Sequence, residues 1–344
     1  LIKVSFFFND KMSDDADEQL IGSDSSDSSL YTSIRRMSST AIHTELEKHN
    51  LCTNGESEVL KKRLYTHLRI LDRVTKLKAF AENNPNPLFH YYCVLDFECT
   101  CAIENFFIIY YRLCCKSRFV KSFVEKMCFK GKKFLVLHNI IPVINPVLSE
   151  FCTRFTGIKQ ENVNSAPLFP EVFKHFLQWI KIETDGKSVA FVTDGNQDIA
   201  TFLQKQLLYF NLDIPEELRS WIDIKESFSV IFNITLMKLS EMLNVIGLQF
   251  EGTKHSGMDD AKNISRIVIW LSEFKIFLDK NAKLSKNRKF LRTLSDDYSN
   301  YKIQPDGSSF SLKTAKLPYL LAVKRSKYYA RLRKFNFTSD NEGN

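Results

Sequence analysis

This 344-residue chain is expected to be α/β, a fold class that rests chiefly on a family resemblance given below and to which two kinds of stretch contribute. Cys93-Val-Leu95 and Val189-Ala-Phe-Val192 are short apolar runs of the kind that form buried strands. Helical spacing of apolar residues marks other segments, among them Leu236–Leu243 and the stretch holding Ile264, Ile267, Val268 and Leu271. Each strand run exits into an acid, and that pairing organises the reading of function.

The first exit is Asp96-Phe-Glu98. Alternate side chains of a strand share a face, so both carboxylates point the same way. Holding two like charges together is costly unless a cation compensates them, and hard oxygen ligands suit magnesium or manganese. Such a pair is common by itself, so the argument needs matching acids downstream. Asp194 follows the second strand run, directly before Gly195. His255-Ser-Gly-Met-Asp259-Asp260 then precedes the helix at Ile264. Taken singly, each has a duller reading: Asp194 starts a turn, His255 is a surface loop residue, and Asp259 or Asp260 caps the helix or meets its positive end. Coincidence of all of them, in this order, is the weaker explanation.

Asp96, Glu98, Asp194, His255 and Asp260 resemble the DEDD-type 3′→5′ exonucleases, in the subgroup with a histidine five positions before the last aspartate. The resemblance implies an RNase H-like α/β domain, a mixed sheet flanked by helices such as Phe169–Ile182 and Ile199–Tyr209. It implies that Asp96, Glu98, Asp194 and Asp260 hold two Mg2+ ions, with Mn2+ as the alternative. His255 would accept the attacking water's proton, and Glu98 would help position that water. Glu98, His255 and the backbone near Cys99 would lie against the terminal nucleotide, and the product would be a nucleoside 5′-monophosphate.

Composition sets the outer bounds. An apolar fraction of 44% is that of an ordinary globular chain, and no run approaches the roughly 18 apolar residues that span a membrane. Leu1–Phe8 is too short for that and lacks a following small-residue cleavage site, so it is not read as a signal peptide. The eight cysteines include no matched Cys-x2-Cys pairs, which argues against structural zinc and for free thiols in a reducing compartment. The net charge of +8 is uneven: Lys275 to Lys334 carries 16 Lys/Arg against 4 Asp/Glu. A basic stretch of that kind favours phosphate-rich partners, or is simply a solvated extension.

Five regions follow. Residues 1–38 read as a disordered, Ser/Asp-rich acidic lead-in. Residues 39–70 read as a helical hairpin, with helices at Thr40–His49 and Ser57–Leu68 around the turn Asn50–Gly55. This hairpin resembles the SAP module, a small nucleic-acid-binding unit, in which Lys61, Lys62 and Arg63 would lie near a phosphate backbone. Residues 71–88 read as a charged linker closed by Pro85 and Pro87, residues 89–279 as the exonuclease domain, and residues 280–344 as a basic C-terminal tail.

A SAP-like hairpin ahead of Asp-Phe-Glu-x-Thr narrows the resemblance to the Eri-type 3′→5′ exoribonucleases. Pro142–Cys152, Phe155-Thr-Gly-Ile158, Leu168-Phe-Pro170 and Thr193-Asp-Gly195 support it. That family implies RNA with a single-stranded 3′ end as substrate, on a stem-loop or a small-RNA duplex. It further implies histone-mRNA and 5.8S ribosomal RNA trimming, small-RNA turnover, ribosomal or RNA-silencing protein partners, and a cytoplasmic or nuclear (including nucleolar) location. Two departures stand out. Residues 101–140 share little with the family, although Phe106–Tyr111 and Phe134–Leu137 have the composition of strands. Gln197 stands where the family often carries a Trp able to stack on a base. Two alternatives stay open: an RNA-binding protein with impaired catalysis, and an enzyme acting on DNA.

Overall fold

The structure is a computed structural model. It describes residues 25–83, 88–97, 99–101, 107–109, 134–136, 148, 150–164, 166–286, 319–323 and 327–338.

Among the described residues three helices come first: α1 (Ser25–Arg35), α2 (Ser39–Lys48) and α3 (Ser57–Asn83). Ser38 caps α2 by accepting the amide of Ala41, satisfying one of the helix's unpaired donors. Ile34, Ile42, Leu46, Leu51, Leu60 and Leu64 form a small core between the three helices. The hairpin at residues 39–70 is therefore present, but two expected boundaries change. The lead-in is not wholly unstructured, because α1 buries Ile34 against the hairpin. The linker at 71–88 is replaced over residues 71–83 by the continuation of α3. Its stripe of Ile70, Val74, Leu77 and Phe80 recurs at three- and four-residue spacing and enters the main core. Enough apolar surface lies on one face to fix those residues as helix despite their charged neighbours. Over 27 residues α3 runs about 40 Å, tying the hairpin to the domain behind it.

The domain holds β1 (Tyr91–Val94), β2 (Cys99–Cys101), β3 (Phe107–Ile109), β4 (Phe134–Val136), α4 (Glu150–Thr156), α5 (Gln160–Asn164), α6 (Phe169–Thr184) and β5 (Val189–Thr193). A π-helical turn at Asp198–Leu203 leads into α7 (Gln204–Tyr209), and a 3-10 turn at Glu216–Arg219 into β6 (Ser220–Asp223). Then come α8 (Ile224–Phe232), α9 (Leu239–Val245), α10 (Gly257–Glu273), β7 (Ala282–Lys286), β8 (Tyr319–Val323) and α11 (Lys327–Thr338).

Among the described residues six strands form one mixed sheet in the order β4-β1-β5-β6-β7-β8. The pairs β4–β1, β1–β5 and β5–β6 are parallel, while β6–β7 and β7–β8 are antiparallel. Strand alternation divides the core. Tyr92, Val94, Ala190, Val192 and Ile222 face one way, into a cluster shared with α3, α8, α9, α10 and α11. Tyr91, Cys93, Leu95, Phe191 and Trp221 face the other way, onto α6 and α7. The RNase H-like expectation of a mixed sheet between helices holds. Within the divergent stretch, β4 extends the main sheet beside β1, and β3 pairs with β2 in a separate antiparallel ribbon.

The fold does not stop at residue 279, and residues 280–286, 319–323 and 327–338 are part of it rather than of a tail. β7 and β8 continue the sheet, and α11 docks through buried Tyr328, Tyr329 and Leu332. Tyr328 Oη accepts the amide of Phe277 (3.3 Å). Tyr329 Oη accepts that of Asp279 (3.2 Å) and donates to Ser227 Oγ (2.9 Å). The abundance of Lys and Arg masked these short apolar segments in the sequence. No helix among the described residues is long and apolar enough to cross a membrane.

Candidate active site

Parallel strands present their carboxyl ends together, and the site forms there. The amide of Leu95 still pairs with the carbonyl of Val192 (2.8 Å), so β1 and β5 stay in register up to the residue before Asp96. Asp96 is partly buried just beyond, and Asp194 directly follows β5. Glu98 and the side chain of Cys99 lie outside the described residues; the backbone of Cys99 begins β2.

Gly195 has φ +106°, a left-handed turn natural for glycine, and it swings the chain from β5 toward the π-helical turn. Asp194 Oδ2 meets Lys225 Nζ at 3.1 Å, whereas Oδ1 is buried without a hydrogen-bond partner. Burial raises the Asp194 pKa above the usual carboxylate range, and the Lys225 ammonium pulls against that rise.

The sequence reading passed over Asp198, four residues on. It is 6% exposed and opens the π-helical turn. Its Oδ1 accepts the amide of Phe97, the residue between Asp96 and Glu98, at 2.8 Å. Burial pushes the Asp198 pKa to about 7; the Phe97 amide opposes the rise and the charge of Asp194 adds to it. The sequence offers only an acid one helical turn past Asp194; that the turn is π-helical, a type frequent at functional sites, emerges only from the structure.

Asp260 sits in the first turn of α10 and is not the helix cap, which is Ser256. Burial lifts its pKa to about 7, opposed by a hydrogen bond from the His255 amide and assisted by the charges of Asp194 and Asp259. Asp194 is thus electrostatic neighbour to both Asp198 and Asp260. His255 has φ +64°, and its imidazole stacks on Phe155 with centroids 4.1 Å apart and planes 21° from parallel. Partial burial, and after it the charge of Lys254, lower the imidazole's pKa. Phe151 stacks in turn on Phe155 at 5.5 Å, and both rings are 40% exposed.

The basic trio of the hairpin is divided. Lys61 pairs with Glu58 (3.2 Å), and Lys62 is exposed. Arg63 turns inward, donating to the carbonyls of Cys52 and Asn54, where it braces the hairpin turn.

The donor set fits a hard divalent cation. A buried, partnerless Asp194 oxygen carries a charge that adds to the burial-raised pKa values of Asp198 and Asp260, and a cation relieves that repulsion. Among the described residues no three such groups already stand as a chelating cluster, and Glu98 is not among them.

The model of the Exonuclease family matches residues 135–268, from β4 into α10, a span that holds Asp194, Asp198, His255 and Asp260 but begins after Asp96. Fold and site together define a nuclease of the exonuclease class. The chain is 31% identical over 261 residues to 3′-5′ exoribonuclease 1 of Rattus norvegicus, covering 73% of this chain and 72% of that protein. It is 30% identical over 280 residues to the 3′-5′ exonuclease eri1 of Schizosaccharomyces pombe, covering 72% and 89%. Among solved structures it resembles a 3′-exonuclease studied for 3′-end specific recognition of the histone mRNA stem-loop. There the TM-score is 0.50 and the identity 28%, over 76% of this chain and 89% of the other. The chain belongs to the 3′-5′ exoribonuclease family, whose members are hydrolytic and depend on divalent metal.

Proposed function

We propose that this enzyme removes nucleotides one at a time from a single-stranded RNA 3′ end and releases nucleoside 5′-monophosphates. The observation that carries this is that Asp194 and Asp198 follow the carboxyl end of β5, where Asp198 accepts the Phe97 amide just beyond β1 and Asp194 acts electrostatically on Asp260, next to a histidine whose pKa is lowered. Asp96, Glu98, Asp260 and the Asp194/Asp198 pair would hold two divalent ions, magnesium or manganese. When bound, such ions acidify a water and offset charge on the leaving 3′ oxygen.

The rest falls to the chain's own side chains. His255 accepts the proton of the attacking water; the new P–O bond forms as the bond to the 3′ oxygen breaks. A lowered pKa leaves the imidazole neutral near pH 7, the form a general base needs. Phe151 and Phe155 offer stacked, half-open rings beside His255, a surface for the terminal base, where stacking contributes about 1–3 kcal/mol. That supports substrate grip despite Gln197. Of the two neighbouring acids, Asp198 reaches the first acidic pair through the Phe97 amide, while Asp194 is half engaged by Lys225. The physiological RNAs we favour are 3′ tails on stem-loops, including histone mRNA, together with 5.8S ribosomal RNA and small-RNA duplexes. The exposed Lys62 and the basic C-terminal stretch suit such polyanions, and a cytoplasmic or nuclear location with ribosomal or RNA-silencing partners belongs to the same proposal.

Digestion of 5′-labelled RNA with a 3′ tail, beside matched DNA, tests the reading. A metal-dependent ladder on RNA, lost in EDTA and in Asp96→Ala, is expected, and Asp198→Asn should cost at least as much as Asp194→Asn. Intact RNA in every lane from folded protein would refute it, and faster loss of the DNA would reassign the substrate.

A further inference from the structure

Two consecutive acids open α10, and they face different ways. Asp260 receives the His255 amide and is an electrostatic neighbour of Asp194. Asp259 reaches back along the incoming loop, where its Oδ2 accepts the amide of Thr253 at 2.9 Å. Gly252 makes that approach feasible. It has φ +88°, and a Cβ there would lie 2.4–2.7 Å from the Asp259 carboxylate atoms, so a side chain and the carboxylate exclude each other. Asn263, fully buried one turn further along α10, secures the same loop. Its Nδ2 donates to the carbonyls of Glu251 (2.8 Å) and Asp259 (2.7 Å), and its Oδ1 accepts the amide of Glu251 (3.1 Å). Glu251 is also paired with Lys262 (2.9 Å) and Arg266 (3.1 Å). Residues 251–255 are thereby bonded at both ends to the helix that carries Asp260.

We propose that Asp259 is a positioning residue for His255: by clamping Gly252–Thr253 to α10 it holds His255 in the left-handed backbone conformation that lays the imidazole on Phe155. The proposal rests on the reading of His255 as the general base. A left-handed φ is unfavourable for a residue other than glycine, so the surrounding bonds must impose it. The clamp supplies those bonds, and the adjacent acids divide the work: Asp260 serves the cluster and Asp259 the loop.

The test is a double-mutant cycle on the full chain with magnesium and a short 3′-tailed RNA. Asp259→Ala should lower kcat about tenfold through misplacement of the base, with KM and Mn2+ affinity unchanged. Asp259→Asn keeps an acceptor oxygen and should restore most of the rate. In a His255→Ala background, Asp259→Ala should cost less than about twofold, because the base it positions is gone. Full additivity in the double variant, or an Asp259→Asn as slow as Asp259→Ala, would overturn the proposal. Hydrogen exchange at the Thr253 and His255 amides gives a readout independent of chemistry, and it should quicken in Asp259→Ala. A fully active His255→Ala would refute the role of His255 itself; unchanged exchange in Asp259→Ala would refute the clamp.

Discussion

Without a bound cation, this protein should become less stable as pH rises from about 5 to 8, and divalent metal should stabilise it most at the upper end. Asp198 and Asp260 are each raised from 3.8 to about 7, with burial the largest cause for both. A folded-state pKa above the unfolded value means that the native state prefers the proton. The associated stability is complete below the unfolded pKa near 4 and is lost as pH climbs through 7. A rise of about three units corresponds to a ceiling of ~4 kcal/mol per group. Asp260 is only partly buried and the two acids share a neighbour in Asp194, so about 3–5 kcal/mol for the pair is the working figure. At roughly 2 °C per kcal/mol for a chain of this size, Tm in EDTA should fall by about 5–10 °C between pH 5 and 8. Asp223, raised to about 6 chiefly by burial, pushes in the same direction. Because a divalent ion favours the ionised carboxylates, the Tm gain on adding Mg2+ or Mn2+ should grow across that interval. Differential scanning fluorimetry over a grid of pH, with chelator or metal, measures both. A chelated protein as stable at pH 8 as at pH 5, or a metal-induced gain no larger at pH 8, would refute the reasoning.

Two further substitutions test the fold that positions the site. Leu77→Ala should destabilise the protein by about 2–5 kcal/mol in urea titration, as expected for a cavity beneath a continuous α3; a linker would lose almost nothing. Tyr329→Phe removes a hydroxyl that bonds both the Asp279 amide and Ser227, and should cost about 1–3 kcal/mol while leaving turnover unchanged. A loss under 0.5 kcal/mol would mean that α11 is not docked as described.

The sequence was informative wherever a local pattern carried the physics. The placing of Asp96 and Asp194 just past strand ends was legible because acids at the exits of apolar runs come to a common end once the strands pair in parallel. The α10 stripe of Ile264, Ile267, Val268 and Leu271 was legible from spacing, and all four residues are buried. Asp198 was not, because its importance comes from a hydrogen bond to Phe97, a residue 101 positions earlier. Lys225 was missed for the same reason: nothing local announces that its ammonium meets Asp194. Charge and nearby prolines point to a linker at 71–88, whereas over residues 71–83 the buried apolar stripe prevails and α3 continues.

By itself, then, the sequence determined the class of fold, the order of the acids and the histidine's place among them. These depend on periodicity and side-chain type, which are properties of short segments. Tertiary structure decided which acids meet, which of Asp259 and Asp260 faces the cluster, that α3 continues into the core, and that β7, β8 and α11 complete the domain. Each of those outcomes depends on contacts between residues far apart in the chain, whose energies exist only once the sheet has brought them together.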